Sequence, residues 1–294
     1  MIPADLHMHS HYSNDGEFSV ATLVEKCRQQ RVNTFSITDH NSARANKEAV
    51  ELVRQEGMRY IPGIEIDCIY EGINLHVLGY NIDWQSPAFT KLEEDVFAKV
   101  MQSFSQMIEN TTALGFKIDK DAVLEYAGDT LPSPEMIAEI MLSDPKYYSP
   151  LLEPYMEGGA RSDMPYINFY LDYFAQGKPA FVPVEYISFD QAIGLIKGNG
   201  GTPIVAHPGL NLKGRENIVE QLLDKGAEGL EAFNNYHDME QIGYFASVVQ
   251  KRKAIITCGS DFHGKTKPLI HIGGFKYDNR FEAYLNSSIE QLTV

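Results

Sequence analysis

The chain has 294 residues, an apolar fraction of 44% and a formal net charge of −15, with a pI near 5.0. That length and apolar content suffice for a sizeable core, as one barrel-sized domain with an insertion. The acidic balance argues against a broad electrostatic footprint for long nucleic acid, but not against a small phosphorylated substrate drawn to a cationic cleft.

Strand-like and helical runs alternate in the outer segments. Residues 2–8 read as a strand, Ser19 as the cap of a helix over 20–30, residues 32–38 as a second strand and 43–56 as a helix of good formers. Residues 59–68 and 74–82 are strands joined at Tyr70-Glu71-Gly72, the pattern of a hairpin. Residues 85–179 break the alternation. A long amphipathic helix over 88–114 carries Phe89, Leu92, Val96, Val100, Phe104 and Met107, and shorter helices follow near 119–127, 134–142 and 163–175. This stretch reads as a helical insertion that caps the rest. Alternation then resumes, with helices over 189–197, 218–225 and 239–251 and strands over 203–206, 230–233 and 254–258. The class is α/β with a largely parallel sheet.

Cys27, Cys68 and Cys258 are widely spaced with no Cys-x-x-Cys, which points to a reducing cytoplasm. The first strand-like run starts at Ile2 and leaves no length for a signal peptide, and no apolar run approaches the roughly 20 residues of a membrane span. A cytoplasmic protein with no membrane partner is expected. Oligomeric state is not legible.

Histidines and acids gather at the ends of these runs. His7 and His9 in Asp5-Leu6-His7-Met8-His9-Ser10 share one face of a strand, because side chains alternate. In isolation they read better as a pair of hydrogen-bonded surface histidines. His11 continues that face past the strand end and is assigned to the polar rim. Asp15 sits in Asn14-Asp15-Gly16, an ordinary turn sequence. Asp39-His40 ends the second strand. Glu65 follows an apolar run in which a lone carboxylate is costly without a cation beside it. His76 and His207, each flanked by apolar residues, would alone read as core histidines. Asp261 and His263 share a face in Gly259-Ser260-Asp261-Phe262-His263-Gly264. These motifs follow at least five different strands. A barrel gathers such strand ends around one mouth, whereas an open sheet spreads them along an edge.

Taken in order, Asp-Leu-His-x-His-Ser, Thr-Asp-His, Gly-x-Glu, Ala-His-Pro and Gly-Ser-Asp-Phe-His-Gly resemble the PHP (polymerase and histidinol phosphatase) family, mostly phosphoesterases. The resemblance implies a distorted (β/α)7 barrel over residues 1–84 and 180–294, interrupted by the helical cap of 85–179. It also implies three divalent metal ions. His7, His9, Glu65 and Asp261 would hold one; Glu65, His76 and His207 a second; Asp15, His40 and His263 a third. Imidazole with carboxylate suits manganese, zinc or iron. Asp39 and Asp5 are assigned as acceptors that orient ligand imidazoles.

The implied reaction is hydrolysis of a phosphoester by a hydroxide bridging two of the ions. No Gly-x-Ser-x-Gly and no phosphate-cradling glycine loop competes with it. His237 is a candidate to protonate the leaving group, with a helix-entry surface histidine as the alternative. Arg161, Lys178, Lys265 and Lys267 are candidate phosphate contacts, each otherwise a solvated charge.

The chain is most similar to the nucleotidase and oligoribonuclease branch, whose insertion carries Arg-Pro-His-Ile-Ala-Arg. Residues Pro134-Glu135-Met136-Ile137-Ala138-Glu139 stand there instead, which puts a mononucleotide substrate in doubt. The expected substrate is a nucleotide, a nucleoside bisphosphate or a short oligonucleotide. A histidinol-phosphate-like or other sugar phosphatase and a non-catalytic metal-binding module are the alternatives. A polymerase-attached proofreading nuclease is disfavoured because the chain ends just past the barrel.

Overall fold

The computed structural model describes residues 3–293, so Ile2, the expected start of the first strand, lies outside the described residues. A small parallel sheet is formed by β1 (Ala4–Asp5), β2 (Thr34–Phe35) and β3 (Arg59–Tyr60). Two helices make its crossovers. Helix α1 (Val20–Gln29) starts where the Ser19 side chain accepts from Thr22 N–H, and α2 (Ala45–Glu56) ends at Gly57, whose φ of 67° suits glycine.

The single strand expected over 59–68 is two. Pro62 has no N–H to give to a ladder, and the chain passes there from β3 in the first sheet to β4 (Gly63–Tyr70) in the second. β4 returns as β5 (Ile73–Tyr80) through a two-residue turn, Glu71 at φ 48° and Gly72 at φ 78°, the doubly left-handed geometry of a tight hairpin. The other strands are β6 (Ile187–Ser188), β7 (Thr202–Val205), β8 (Gly229–Phe233) and β9 (Ile255–Cys258), and the order is β6-β4-β5-β7-β8-β9. Pairing is antiparallel for β4–β5 and β5–β7 and parallel elsewhere, so the sheet is mixed rather than largely parallel.

The two sheets touch on both sides. Leu6 N–H donates to Cys258 O at 3.0 Å and Met8 bridges Phe262, while Glu65 N–H donates to Asp39 O at 3.1 Å and His40 bridges Glu65. These few bonds place the end of β1 beside the end of β9, and the end of the β2 segment beside β4.

The 27-residue helix α3 (Pro87–Ala113) links two apolar clusters. Its first half, with Phe89, Leu92, Val96 and Val100, packs into the core that also takes the second sheet and helices α7 (Phe189–Gly198) and α10 (Met239–Arg252). Its second half, with Phe104, Met107 and Ile108, packs with Phe116, Ile137 and Phe169 in a cluster belonging to the inserted segment. That segment also contains α4 (Lys120–Ala127), α5 (Pro134–Ser143) and α6 (Pro165–Tyr173). Short α8 (Pro208–Asn211) follows β7 directly, α9 (Ile218–Asp224) precedes β8, and α11 (Glu282–Leu292) closes the described chain, burying Leu285, Ile289 and Leu292. The architecture is an α/β fold.

Candidate metal centre

Glu65 lies at the centre of the site. It is fully buried on β4, and four imidazoles reach its two oxygens from three other segments. His7 Nε2 is 3.1 Å and His9 Nε2 3.2 Å from Oε2, and His76 Nδ1 is 2.9 Å and His207 Nε2 3.1 Å from Oε1. Asp261 Oδ1 faces the first pair, at 3.3 Å from His7 Nε2 and 3.1 Å from His9 Nε2. Farther along, His263 Nε2 is 3.0 Å and His40 Nε2 3.9 Å from Asp15 Oδ2, and the His9 and His263 rings stack at 4.0 Å. The nine residues expected as ligands thus come together in one place, drawn from both sheets. His11 lies on the surface with its ring against Tyr12.

The electrostatics follow from that crowding. Burial opposes ionisation of Glu65, yet the imidazoles of His7, His40 and His76 hold its carboxyl well below the usual range. Asp261 is likewise held low against burial, by Lys267 first and then His263 and His7. Burial pushes His263 down to about 4, toward the neutral ring that can offer a lone pair. Two buried ring nitrogens, His40 Nδ1 and His263 Nε2, make no hydrogen bond although carboxylate oxygens lie within 3.4 Å. Unpaired imidazole nitrogens among buried carboxylates are the donor set that divalent borderline cations take, so the residues present fit metal ions. Among the described residues, three groups have donor atoms mutually within 4.8 Å: His9, Asp15, His40 and His263; His7, Glu65, His207 and Asp261; and His40, Asp67 and His76.

Several expectations require correction. Asp39 does not orient an imidazole: its oxygens accept from Ser10 N–H at 2.6 Å and Ser10 Oγ at 2.7 Å, fixing the turn after His9. Asp5 acts similarly, accepting from Ser260 N–H, Ser260 Oγ and Gly273 N–H, which ties β1 to the loop bearing Asp261. His237 is not a surface histidine. It is buried, its Nδ1–H donates to Ala232 O at 2.9 Å and its Nε2 accepts from Gly209 N–H at 3.0 Å. Both nitrogens are taken up inside the fold, and the acid role is withdrawn.

Among the cations, Arg161 is paired with Asp172 inside the inserted segment and Lys178 is exposed on it; neither is brought to the site. Lys265 donates to Glu139 Oε1 at 2.6 Å and Tyr126 O–H at 2.7 Å, tying the loop after His263 to the inserted helices. Lys267 is at the centre: its buried Nζ donates to Asp261 Oδ2 at 2.6 Å.

The sequence reading missed four residues. Glu231, fully buried on β8, accepts from His7 Nδ1 at 3.0 Å and from His207 N–H at 2.8 Å, so it holds two of the clustered histidines. Tyr236 O–H donates to Asp261 Oδ2 at 2.7 Å. Asp67 joins the third group. Glu135, in the first turn of α5, is pushed up to about 7 by burial and by the charge of Asp15, with Lys267 pulling the other way. A carboxylate within an apolar strand was the available signal for Glu231, and the two-residue step from Glu65 was the signal for Asp67.

Comparison with known proteins agrees with this geometry. The PHP domain model matches residues 5–179. The chain is 26% identical over 266 residues to the 3′,5′-nucleoside bisphosphate phosphatase of Chromobacterium violaceum, covering 90% of this chain and 88% of that one. It is 28% identical over 275 residues to the 5′-3′ exoribonuclease Rnm of Salmonella typhimurium, covering 92% and 87%. Among solved structures, an amidohydrolase from Chromobacterium violaceum with bound sulfate superposes with a TM-score of 0.78 at 22% identity, over 97% of this chain and 96% of the other. A protein from Bifidobacterium adolescentis gives the same score at 23% identity. The chain belongs to the PHP domain family.

Proposed function

We propose that the protein is a metal-dependent phosphoesterase of a small phosphorylated substrate. The observation that carries this reading is the convergence of His7, His9, His76 and His207 on the single buried carboxylate Glu65, with Asp261 opposite. In this reading the two sheets close into one distorted barrel over residues 1–84 and 180–294, in which β3 and β4 count as one broken strand and β6 as an edge outside the expected seven, and residues 85–179 are its cap. The nine clustered residues hold three divalent ions, manganese, zinc or iron. The ions supply Lewis-acid activation of water and neutralise charge on the phosphoryl group.

The chain's own residues do the rest. Glu231 fixes His7 and the turn at His207, and Tyr236 with Lys267 fixes Asp261. Lys267, held charged by Asp261 against its burial, would offer that charge to phosphoryl oxygens bound beside Asp261. Glu135 takes the place of His237 as the candidate proton donor to the leaving alkoxide: without metal, burial and the charge of Asp15 raise its carboxyl to about 7. The cap excludes water from that transfer. A cytoplasmic location suits the three free, buried cysteines.

The relatives divide the substrate question. One is named a nucleoside bisphosphate phosphatase, which favours a 3′,5′-bisphosphate or a mononucleotide. Another is named a 5′-3′ exoribonuclease, which favours the end of an RNA strand as the second reading. An end presents a single phosphate to the centre and does not need a basic track, so the net charge of −15 does not exclude it. The test is phosphate or nucleotide release from bisphosphates, 5′-mononucleotides and short RNAs, with protein reloaded in manganese, zinc or iron. Turnover that depends on the metal supports the reading. A fully loaded protein inert on every phosphoester would refute it.

A further inference from the structure

Asp67 lies two residues after Glu65 on β4, so both carboxylates project from one face of the strand. Its two oxygens have different partners. Oδ2 accepts from Asn41 Nδ2 at 2.6 Å, and the reciprocal bond from Asp67 N–H to Asn41 Oδ1 at 3.0 Å locks the carboxylate in place. Oδ1 is left facing two imidazoles, with His76 Nε2 at 3.1 Å and His40 Nδ1 at 3.3 Å.

Those two approaches have ion-pair distances without hydrogen-bond alignment. His40 Nδ1 is buried and has no well-aligned hydrogen-bond partner, which leaves it available to a ligand ion. Donor atoms of His40, Asp67 and His76 all lie within 4.8 Å of one another, and the 3.1 and 3.3 Å from Asp67 Oδ1 to the two ring nitrogens are separations that ligands sharing one ion through bonds of ~2.1 Å adopt. A further carboxylate oxygen lies beside this position: Glu65 Oε2 is 3.4 Å from His40 Nδ1.

We infer that Asp67 is itself a metal ligand, sharing one divalent ion with His40 and His76. This rests on the metal-centre reading and alters it. His40 then serves this position through Nδ1, on the Glu65 side, while its Nε2 remains turned toward Asp15. The carboxylate adds a negative charge and an oxygen donor to a position otherwise made of two imidazoles, which shifts it toward manganese or iron relative to the imidazoles alone.

The experiment uses the full chain stripped of metal and dialysed to equilibrium against Mn²⁺, with bound metal counted by elemental analysis. Asp67→Ala and the isosteric Asp67→Asn are compared with wild type, and thermal melts of the metal-free proteins confirm that each variant is folded. Both variants are expected to hold one ion fewer per chain at concentrations that saturate the wild type. In parallel, Asp67→Cys loaded with Co²⁺ is expected to show a thiolate-to-cobalt charge-transfer band in the near ultraviolet that the wild type lacks. A merely orienting carboxylate would not give that band, so its absence overturns direct ligation. Variants that match the wild-type count and binding midpoint overturn it as well, and leave the metal centre standing. A wild type that binds no Mn²⁺ overturns both together.

Discussion

Glu231 offers the sharpest test of how the centre is held. Its carboxylate is fully buried and divides its oxygens between two donors, Oε1 with His7 Nδ1 at 3.0 Å and Oε2 with His207 N–H at 2.8 Å. It has no room to turn, since a Cβ at Gly259 would already lie 2.5 Å from Oε1. In Glu231→Gln the amide keeps one acceptor for two donors, so one donor meets an NH₂ group. The cost of leaving one buried donor unsatisfied is about 1–3 kcal/mol, and Glu231→Ala, which loses both acceptors, should cost about twice that. For a chain of this size about 2 kcal/mol lowers the melting temperature by roughly 5 °C. Loss of the His7 anchor should also weaken metal binding by about 10- to 100-fold, the usual effect of removing a carboxylate that orients a ligand imidazole. The assays are a thermal melt of metal-free protein and a Mn²⁺ titration. A Gln variant that melts within about 1 °C of the wild type and binds with an unchanged midpoint would refute the reasoning.

Three further outcomes are expected. Glu135 carries a pKa raised to about 7, so its proton is present below that pH and lost above it; a nearby cation pulls the value down. Glu135→Gln should therefore lower kcat by about 100-fold and remove an alkaline limb at or below pH 7, and an unchanged pH–rate profile would rule out the acid role. The same shift makes the metal-free protein lose stability as pH rises from the unfolded carboxyl value toward 7, because over that window the native state binds the extra proton. Lys267→Met should raise KM for a phosphoester about tenfold or more with the metal count unchanged; a lost ion would instead show that the lysine serves only to hold Asp261. His237→Asn, which disturbs two internal hydrogen bonds, should destabilise by about 1–3 kcal/mol while kcat stays within about twofold of wild type. A collapse of kcat in folded protein would restore His237 to the reaction.

Much of the site was legible because strands impose alternation and loops do not. Glu65 stood out as a carboxylate in an apolar run, and spacing paired His7 with His9 and Asp261 with His263, although both pairs lie just past the strand ends and Asp261 turns in at φ 58°. The same argument reaches Glu231, inside Gly229–Phe233, and Asp67, one pleat beyond Glu65. Pro62 likewise marks the break between β3 and β4 by its missing N–H. What stayed hidden depends on where distant loops cross. Asp39 binds Ser10 rather than an imidazole because the turn after β1 folds over it, and His237 is sealed by Gly209 from the start of α8. Long cations carry no periodic signature at all. Lys267 reaches Asp261 while Arg161 ends on Asp172, and only the path of the chain distinguishes them.

Three residues beside the centre lie in the left-handed region without being glycine: Asn41 at φ 54°, His207 at φ 23° and Asp261 at φ 58°. Each such turn costs of order 1 kcal/mol, and it persists only where the surroundings over-determine it. Here the surroundings are strand ends: Asn41 N–H bonds Glu65 O, His207 N–H bonds Glu231, and Asp261 N–H bonds His7 O. The backbone is therefore bent inward by hydrogen bonds within the fold itself, none of which requires an ion to form. Such a centre behaves as a socket rather than a clasp. Stripping and reloading should leave the chain's shape unchanged, and exchange among divalent ions becomes a question of which one is abundant when the empty protein meets it.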